Sequence, residues 1–149
     1  MLRATCLATL FAYGVFGTAP RQARELINAF DASKGPPYTP AIRVGNVMHV
    51  AGKVGQVPMK ALIVPGGIVN ETRQALTALE KTLKAGRMSL KNVAKTTVYL
   101  TNWNNYDEMN KIYLEYFPEK FPARSALQVV KLPSNAHVQI EAVAVHSDL

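Results

Sequence analysis

A ten-residue stretch in the middle of the chain constrains the fold most. From Val93 to Asn102 the side chains alternate between two sets, which are Ala94, Thr96, Val98 and Leu100 on one face and Lys95, Thr97, Tyr99 and Thr101 on the other. This period of two predicts a strand that is half-covered by helices. Helical patterns stand on both sides of it in the sequence, so the stretch predicts a sheet with a helical layer.

The first helix is predicted from Val69 to Ala85. Four side chains recur on one of its faces at helical spacing, and these are Thr72, Leu76, Leu79 and Leu83. Glu80 and Lys84 form an i,i+4 pair on the exposed side. Gly86 is typical of the residue that follows a helix.

The second helix follows the alternating strand. Asn104 or Asn105 is predicted to cap it, and Pro118 is predicted to end it. Asp107 and Glu108 complement the positive end of the helix dipole. Its buried stripe is predicted to contain Tyr106, Met109, Tyr113 and either Tyr116 or Phe117.

Further strands precede and follow the helices. Glu25 to Ala29 is a short candidate strand before a turn-rich stretch, Asp31 to Pro37, and Gly45-Asn46 indicates a hairpin between Ala41–Val44 and Val47–Ala51. The last two strands are predicted at Arg124–Lys131 and His137–Val145. This order predicts an α+β fold, a mixed sheet with two helices on one face. A chain this short offers no cover for the other face, so we expect self-association.

Composition excludes several classes of protein. The 149 residues, 48% of them hydrophobic, suit one compact domain, and a single cysteine excludes a disulfide scaffold. Three histidines and one cysteine give no metal-ligand pattern, so no metal site is predicted. The net charge of +7 suits an anionic partner, but the chain has no basic stripe interleaved with aromatic residues. No phosphate-binding glycine loop or nucleophile elbow is present.

Residues 1–22 differ from the rest and are interpreted as an N-terminal targeting segment or extension before a domain at 23–149. Ala4 to Pro20 is uncharged but falls short of the ~20 apolar residues of a membrane span, so no membrane association is predicted. Arg3, Arg21 and Arg24 without acidic residues suit a mitochondrial presequence, whereas the charged start and apolar middle suit a secretory signal. The expected location is the cytoplasm or the mitochondrion, with secretion as the alternative.

Arg124 is the residue whose position alone suggests chemistry. It opens an apolar strand directly after Phe121-Pro122-Ala123. An arginine held there can bind a planar carboxylate through two parallel hydrogen bonds. The alternative is an exposed arginine that lies along the edge of the sheet.

Several motifs together resemble a known family. They are Phe121-Pro122-Ala123-Arg124-Ser125, Lys131-Leu132-Pro133, Ile140-Glu141-Ala142-Val143-Ala144, Lys95-Thr96-Thr97-Val98 and Gly45-Asn46. From about Arg24 to Val145 the chain resembles the RidA/YjgF/UK114 family of reactive imine and enamine deaminases. The resemblance implies a chorismate-mutase-like fold, a homotrimer with three clefts between subunits, and hydrolysis of 2-aminoacrylate and related 2-imino acids to 2-keto acids and ammonia without a cofactor.

The resemblance also implies a set of site residues. Arg124 matches the arginine that binds the substrate carboxylate, and Tyr38, Gly52 and Asn110 match a pocket tyrosine, a strand-end glycine and a second-helix asparagine. Four further positions depart from the family pattern, with Ala51 for serine, Lys53 for glutamine, Ala126 for cysteine and Gln139 for glutamate. Ala51 and Ala126 are kept as substrate-binding positions.

Gln139 is the departure that matters most for activity. The family's glutamate is proposed to position or deprotonate the attacking water, and an amide can orient water but cannot accept its proton. His137 and Glu141 alternate to the same side of the strand as Gln139 and are the two conceivable substitutes. The favoured interpretation is that His137 is an ordinary strand residue that reaches solvent and that Glu141 is a structural charge at the subunit contact. The favoured hypothesis is that Arg124 and Gln139 act together as the catalytic pair by holding the carboxylate and a water. The alternatives are a binding module without turnover and the RNA cleavage reported for some family members.

Overall fold

A computed structural model describes residues 23–27 and 37–146 of the chain. The N-terminal segment 1–22, the end of the first predicted strand and the predicted turn as far as residue 36 lie outside these residues. The described elements are β1 Arg24–Ile27, β2 Ala41–Val44, β3 Val47–Val54, α1 Gly67–Ala85, β4 Val93–Leu100, α2 Tyr106–Tyr116, β5 Ala123–Gln128 and β6 Val138–Val145. Neither helix in these ranges combines the length and the hydropathy that a membrane crossing requires.

The strands form one mixed sheet in the order β1-β2-β3-β6-β4-β5. All neighbouring pairs are antiparallel except β4 and β5, which are parallel. The hairpin predicted at Gly45-Asn46 joins β2 to β3, and Gly45 adopts a φ of 60°, which a glycine reaches without strain. The predicted α+β architecture is therefore confirmed.

Both helices pack on the same face of the sheet. The predicted stripe of α1 is buried throughout, and Met109, Tyr113 and Phe117 bury one side of the α2 region. They meet the inward side chains of the central strands, among them Met48, Val50, Thr96, Val98, Leu100, Val138 and Ile140. The opposite face, which we call the open face, carries partly or fully exposed side chains, including Lys95, Thr97, Tyr99, Gln139, Glu141 and Val143. No element within the described ranges covers it.

Two strands depart from the prediction. β3 continues past Ala51 to Val54, and its register with β6 shifts between Val50 and Lys53, which is a β-bulge. A second register shift lies between Val93 and Lys95, so that Ala94 is exposed instead of sharing the buried face of Thr96. Alternation places side chains correctly only where the ladder is unbroken, and these bulges break it.

The element ends also differ from the prediction. α1 begins two residues earlier, at Gly67, and β5 ends at Gln128 and not at Lys131. Neither Asn104 nor Asn105 caps α2 through its side chain, because a short 3-10 turn precedes the helix and Asn102 accepts the hydrogen bond from Asn104 N at 3.0 Å.

Gly86 is required for space and not for backbone conformation. Its φ is −88°, and the left-handed conformation falls on Arg87 at φ 59°. A Cβ on Gly86 would lie 2.5 Å from the sulfur of Met48. The end of α1 therefore approaches β3 closely because residue 86 has no side chain.

Candidate active site

Arg124 lies at the edge of the sheet, and its guanidinium is held by helix α2. One terminal nitrogen donates to Asn110 Oδ1 at 2.8 Å, and the other donates to the Tyr106 hydroxyl at 3.1 Å. The guanidinium carbon lies 4.7 Å from the centre of the Tyr113 ring and 5.7 Å from that of Tyr106. The structure thus brings together Arg124 and Asn110, as the resemblance implied.

Helical spacing explains why these groups converge. Tyr106, Asn110 and Tyr113 are four and three residues apart, so they share the face of α2 that looks onto β5. The Tyr113 hydroxyl forms a hydrogen bond of 2.7 Å with the buried hydroxyl of Thr96 on β4. Burial raises the pKa of Tyr113, although the Thr96 hydrogen bond and the Arg124 charge oppose the shift. Tyr113 therefore stays a neutral aromatic support for the cation.

The guanidinium keeps donors for a ligand. The contacts with Asn110 and Tyr106 use one N–H on each terminal nitrogen, so a second N–H on each and the Nε–H remain. Both acceptors are neutral groups, and no carboxylate among residues 23–27 and 37–146 pairs with Arg124. The result is an oriented, partly buried cation suited to a planar carboxylate.

A stacked aromatic pair borders this cluster. The ring of Trp103, 45% exposed, lies 4.6 Å from that of Tyr106 at an angle of 14°. Tyr106 thus contacts both the Trp103 ring and the Arg124 guanidinium, which limits the positions that its hydroxyl can take.

Gly52 and Gln139 form a second group on the open face. A Cβ built on Gly52 would lie 2.0 Å from Gln139 Nε2, so the amide side chain lies directly across the glycine. Any larger residue at 52 would displace that amide. Gly52 lies in the bulge within β3 and not at the end of the strand, and it is a neighbour of the position that departs from the family glutamate.

A shallow groove of about 340 Å³ runs along the open face. Ala51 lines it beside Glu141 and the side chains His49, Lys95 and Thr97. Glu141 accepts a hydrogen bond from the Tyr99 hydroxyl at 3.1 Å, and desolvation together with the Glu141 charge raises the pKa of Tyr99. Glu141 is thus engaged with a tyrosine of the neighbouring strand.

The two groups of candidate residues lie on opposite faces of the sheet. Arg124 pairs across strands with the buried Thr96 on the helix-covered face, whereas Gln139 lies between the buried Val138 and Ile140 and points to the open face. Strand β4 separates β5 from β6, which adds roughly 10 Å between their backbones. One copy of the chain does not bring Arg124 and Gln139 to the same small molecule.

Two other predicted residues join neither group. Tyr38 is 63% exposed, on the segment before β2. Ala126 lies opposite Val98 and packs against the core, two residues from Arg124 on the same face. A cysteine at position 126 would likewise point towards the hydrophobic core.

His137 lies just before β6 and is engaged by a buried carboxylate. Its Nδ1 lies 2.5 Å from Glu71 Oε1, and its backbone N–H donates to Glu71 Oε2 at 2.7 Å. Glu71 is buried on α1, so His137 anchors the start of β6 to the helix layer. Within the described ranges no three histidine, cysteine or acidic side chains are grouped to hold a metal ion.

A family model described as Endoribonuclease L-PSP matches residues 27–146 of the chain. The chain belongs to this family, the RidA/YjgF family. The match spans both helices, β2 to β6 and every candidate site residue.

Named relatives and solved structures agree with this membership. A goat protein named 2-iminobutanoate/2-iminopropanoate deaminase is 42% identical over 113 residues, which are 76% of this chain and 82% of the goat protein. A Thermotoga maritima crystal structure is 39% identical, covers 77% of this chain and 90% of its own, and has a TM-score of 0.73. The structure of Escherichia coli TdcF with bound serine is 28% identical over 75% of this chain and 90% of its own, with a TM-score of 0.71.

Sequence reasoning missed four residues of this RidA/YjgF-family site. Tyr106 and Tyr113 were predicted only as buried helix stripe, although their spacing to Asn110 on the helix could have revealed the shared face. Lys53 stands out in the sequence only as a departure from the family pattern, and it is the first paired residue after the β3 bulge. Glu71 gave no signal, because its partner His137 is 66 residues away in sequence.

Proposed function

We propose that the chain hydrolyses 2-imino acids, such as 2-iminobutanoate and 2-iminopropanoate, to 2-keto acids and ammonia. The observation that carries this proposal is the Arg124 guanidinium, held by Asn110 and Tyr106 with N–H donors left over and no carboxylate partner among the described residues. A 2-imino acid carries its carboxylate next to the reacting carbon. Binding the carboxylate at Arg124 therefore fixes the position of the C=N bond.

Relatives support the substrate class. The goat relative bears the name of this activity, and the related TdcF structure contains serine, a small molecule with a carboxylate and an adjacent nitrogen. Both features agree with a site built around one carboxylate-binding arginine.

The complete site is proposed to form between copies of the chain in a homotrimer. The open face carries Gly52, Gln139 and the groove lined by Ala51, and no described element covers it. The Arg124 cluster lies at the sheet edge on the other face. Contact between copies would bury the open face. It would also bring Arg124 of one copy towards Gly52 and Gln139 of its neighbour. Tyr38 would be supplied from the exposed segment before β2.

Each proposed residue has a separate role in this site. Arg124 binds the carboxylate, while Asn110 holds the guanidinium in place. The backbone of Ala51 and Gly52 lines the reacting side, and Ala126 keeps β5 packed. Gln139 orients the water, although its amide cannot take the proton that the water loses.

The proposal is tested in a coupled assay with the full-length protein. An L-amino-acid oxidase generates the imino acid, and semicarbazide captures what is not hydrolysed. We expect the wild type to suppress semicarbazone formation. Arg124→Lys keeps the charge but loses the planar pair of donors, so kcat/KM should fall on the order of 100-fold.

Arg73→Ala is the matched control for this loss. It removes an arginine whose ion pair with Glu115, at 2.9 Å, is exposed and lies outside the Arg124 cluster. Full activity in Arg124→Lys would contradict the assignment of the carboxylate site. Light scattering on the same samples tests the homotrimer, and a monomer with full activity would contradict a site between copies.

Two alternatives are distinguished by the same samples. Binding of a 2-keto acid without turnover would indicate a carboxylate-binding protein, an outcome that Gln139 favours. The name of the matching family and the net charge of +7 motivate an RNA-cleavage assay, in which cleavage that is lost in Arg124→Ala would place RNA at this site. Cleavage that is unchanged in Arg124→Ala would argue against RNA at this site.

The proposed compartment is the cytoplasm or the mitochondrion, with residues 1–22 as the targeting segment or extension, and secretion is the alternative. Microscopy of the full chain carrying a C-terminal tag, compared with a chain that begins at residue 23, tests this assignment.

A further inference from the structure

Glu141 is the residue of β6 that stands opposite the bulge in β3. The register between the two strands shifts between Val50 and Lys53, so Ala51 and Gly52 both lie across from Glu141. In such a bulge two residues of one strand face a single residue of the partner. The Glu141 side chain points to the open face, because its two neighbours on β6 are buried. The backbone that the proposed site uses therefore lies beside a carboxylate.

The amide of Gln139 reaches towards the same place. The Cα atoms of Gln139 and Glu141 stand about 6.6 Å apart along β6. Gln139 Nε2 lies only 2.0 Å from where a Cβ of Gly52 would be, and Gly52 is across from Glu141. One water can bridge two groups up to roughly 5.6 Å apart, which is two hydrogen-bond lengths. The amide and the carboxylate can therefore bind the same water.

The Tyr99 hydroxyl holds this carboxylate in place. Tyr99 pairs with Gln139 across β4 and β6, and its hydroxyl donates to Glu141 Oε1 at 3.1 Å. The raised pKa of Tyr99 keeps the hydroxyl protonated, so Tyr99 is the donor. Among residues 23–27 and 37–146 no cationic side chain forms an ion pair with Glu141. Oε2 can therefore accept a proton from a bound water.

The groove of about 340 Å³ on the open face gives access to this water position. Glu141 and Ala51 both line it. Ala51 adjoins the glycine over which the Gln139 amide lies, so a molecule in the groove lies beside both the carboxylate and the amide. The volume is sufficient for a small 2-imino acid. In the proposed homotrimer, a substrate bound by Arg124 of a neighbouring copy would present its C=N bond to this groove.

We propose that Glu141 is the catalytic base, which accepts the proton that the attacking water loses; this inference rests on the proposed imine hydrolysis. The water oxygen adds to C2 of the protonated imine, the C=N π electrons move to nitrogen, and one water proton passes to Glu141. Glu141 returns this proton to the nitrogen of the resulting carbinolamine. As the C–N bond then breaks, the O–H electrons form the C=O bond, and Glu141 passes the hydroxyl proton to the ammonia, which leaves as ammonium.

This role is compatible with an amide at position 139. An amide orients water but cannot accept its proton, whereas a carboxylate two residues further along the same face can. Two side chains then share the work, with Gln139 orienting the water and Glu141 taking its proton. A carboxylate at position 139 should therefore be able to replace the one at position 141, because both positions reach the same water.

Steady-state hydrolysis of imino acid by the full-length protein tests this role. Glu141→Gln should lower kcat by at least about 100-fold with little change in KM, because the base is lost while the substrate still binds at Arg124. Adding Gln139→Glu to this variant should restore kcat to within about tenfold of the wild type. Glu80→Gln is the matched control, because it makes the same chemical change in an ion pair with Lys84 on α1, and it should keep full activity.

Glu141→Asp separates a base from a structural charge. It keeps the charge but shortens the side chain by a methylene group, so kcat should fall by at least about tenfold while light scattering shows the assembly of the wild type. Full kcat in either variant, a loss that Gln139→Glu does not restore, or a loss that occurs only with dissociation overturns the role of Glu141. Each of these leaves the proposed function intact, because the wild type still hydrolyses the imino acid. A wild type inert towards imino acids overturns the proposed function itself, and this role with it.

Discussion

The stability of the protein should depend on pH through Lys53, and Lys53→Met should remove that dependence. The amine has a pKa of about 8 in the folded chain and 10.5 when unfolded. Between these values the unfolded chain binds the proton that the folded chain has released. The free energy of unfolding therefore rises with pH across this window and is lowest below pH 8.

The magnitude follows from the two pKa values. The difference between 10.5 and about 8 corresponds to at most about 3 kcal/mol when the whole titration is traversed. At pH 10 the lysine of the unfolded chain is not yet fully deprotonated, and in the folded chain Lys53 is partly exposed. We therefore expect the free energy of unfolding to rise by about 2 kcal/mol between pH 7 and pH 10. At pH 7 Lys53→Met should be more stable than the wild type, because it buries no charge.

Urea unfolding followed by circular dichroism at pH 7, 8, 9 and 10, at one protein concentration, measures this effect. At each pH we compare the free energy of unfolding of the wild type with that of Lys53→Met. Contributions from other titrating groups cancel in this difference, including those of Tyr99 and Tyr113, whose pKa values are raised. Lys95→Met is the matched control. A difference that stays flat from pH 7 to pH 10, or falls, would refute the claim that Lys53 is desolvated.

Four further substitutions, at three positions, test the packing around the proposed site. Gly55→Ala places a Cβ 2.5 Å from the backbone Cα of Glu71 and should cost about 1–3 kcal/mol in urea unfolding, whereas an unchanged midpoint would contradict the contact. Glu71→Leu leaves the backbone N–H of His137 without its acceptor and should lower the free energy of unfolding by about 1–3 kcal/mol. Glu71→Gln keeps one acceptor oxygen and should cost less. Equal losses in the two variants would argue against Glu71 as the acceptor for His137. Gly52→Ala meets only the flexible end of Gln139, so stability should be nearly kept while imine hydrolysis falls on the order of 100-fold, and retained activity would count against that contact.

Local patterns predicted most of the fold. Gly45-Asn46 and the leucine stripe of α1 are signals contained within a few residues, and the structure confirms both elements. The bulge at Ala51-Gly52 could not be predicted in this way, because it belongs to the pairing of β3 with β6, a strand distant in sequence whose Gln139 side chain lies across Gly52. Asn105 does occupy the predicted N-cap position of α2, but its side chain makes no capping hydrogen bond, since a 3-10 turn intervenes between the strand and the helix.

The candidate site was predictable in part. Arg124 stood out from its position, and the resemblance added Asn110, which the structure places in contact with it. The support from Tyr113 depends on the packing of α2 against β4, which no local pattern encodes. That Arg124 and Gln139 lie on opposite faces follows only from the strand order.

The stacking of Trp103 on Tyr106 gives the protein a built-in optical reporter. Trp103 is the single tryptophan of the chain, and the ring on which it stacks carries the hydroxyl that accepts a hydrogen bond from Arg124. A carboxylate that binds the remaining N–H groups of the guanidinium brings a negative charge next to the Tyr106 hydroxyl and so changes the surroundings of the stacked indole. We therefore expect intrinsic fluorescence to follow occupancy of the arginine in unlabelled protein, so that stopped-flow emission would separate ligand binding from the chemical steps that come after it.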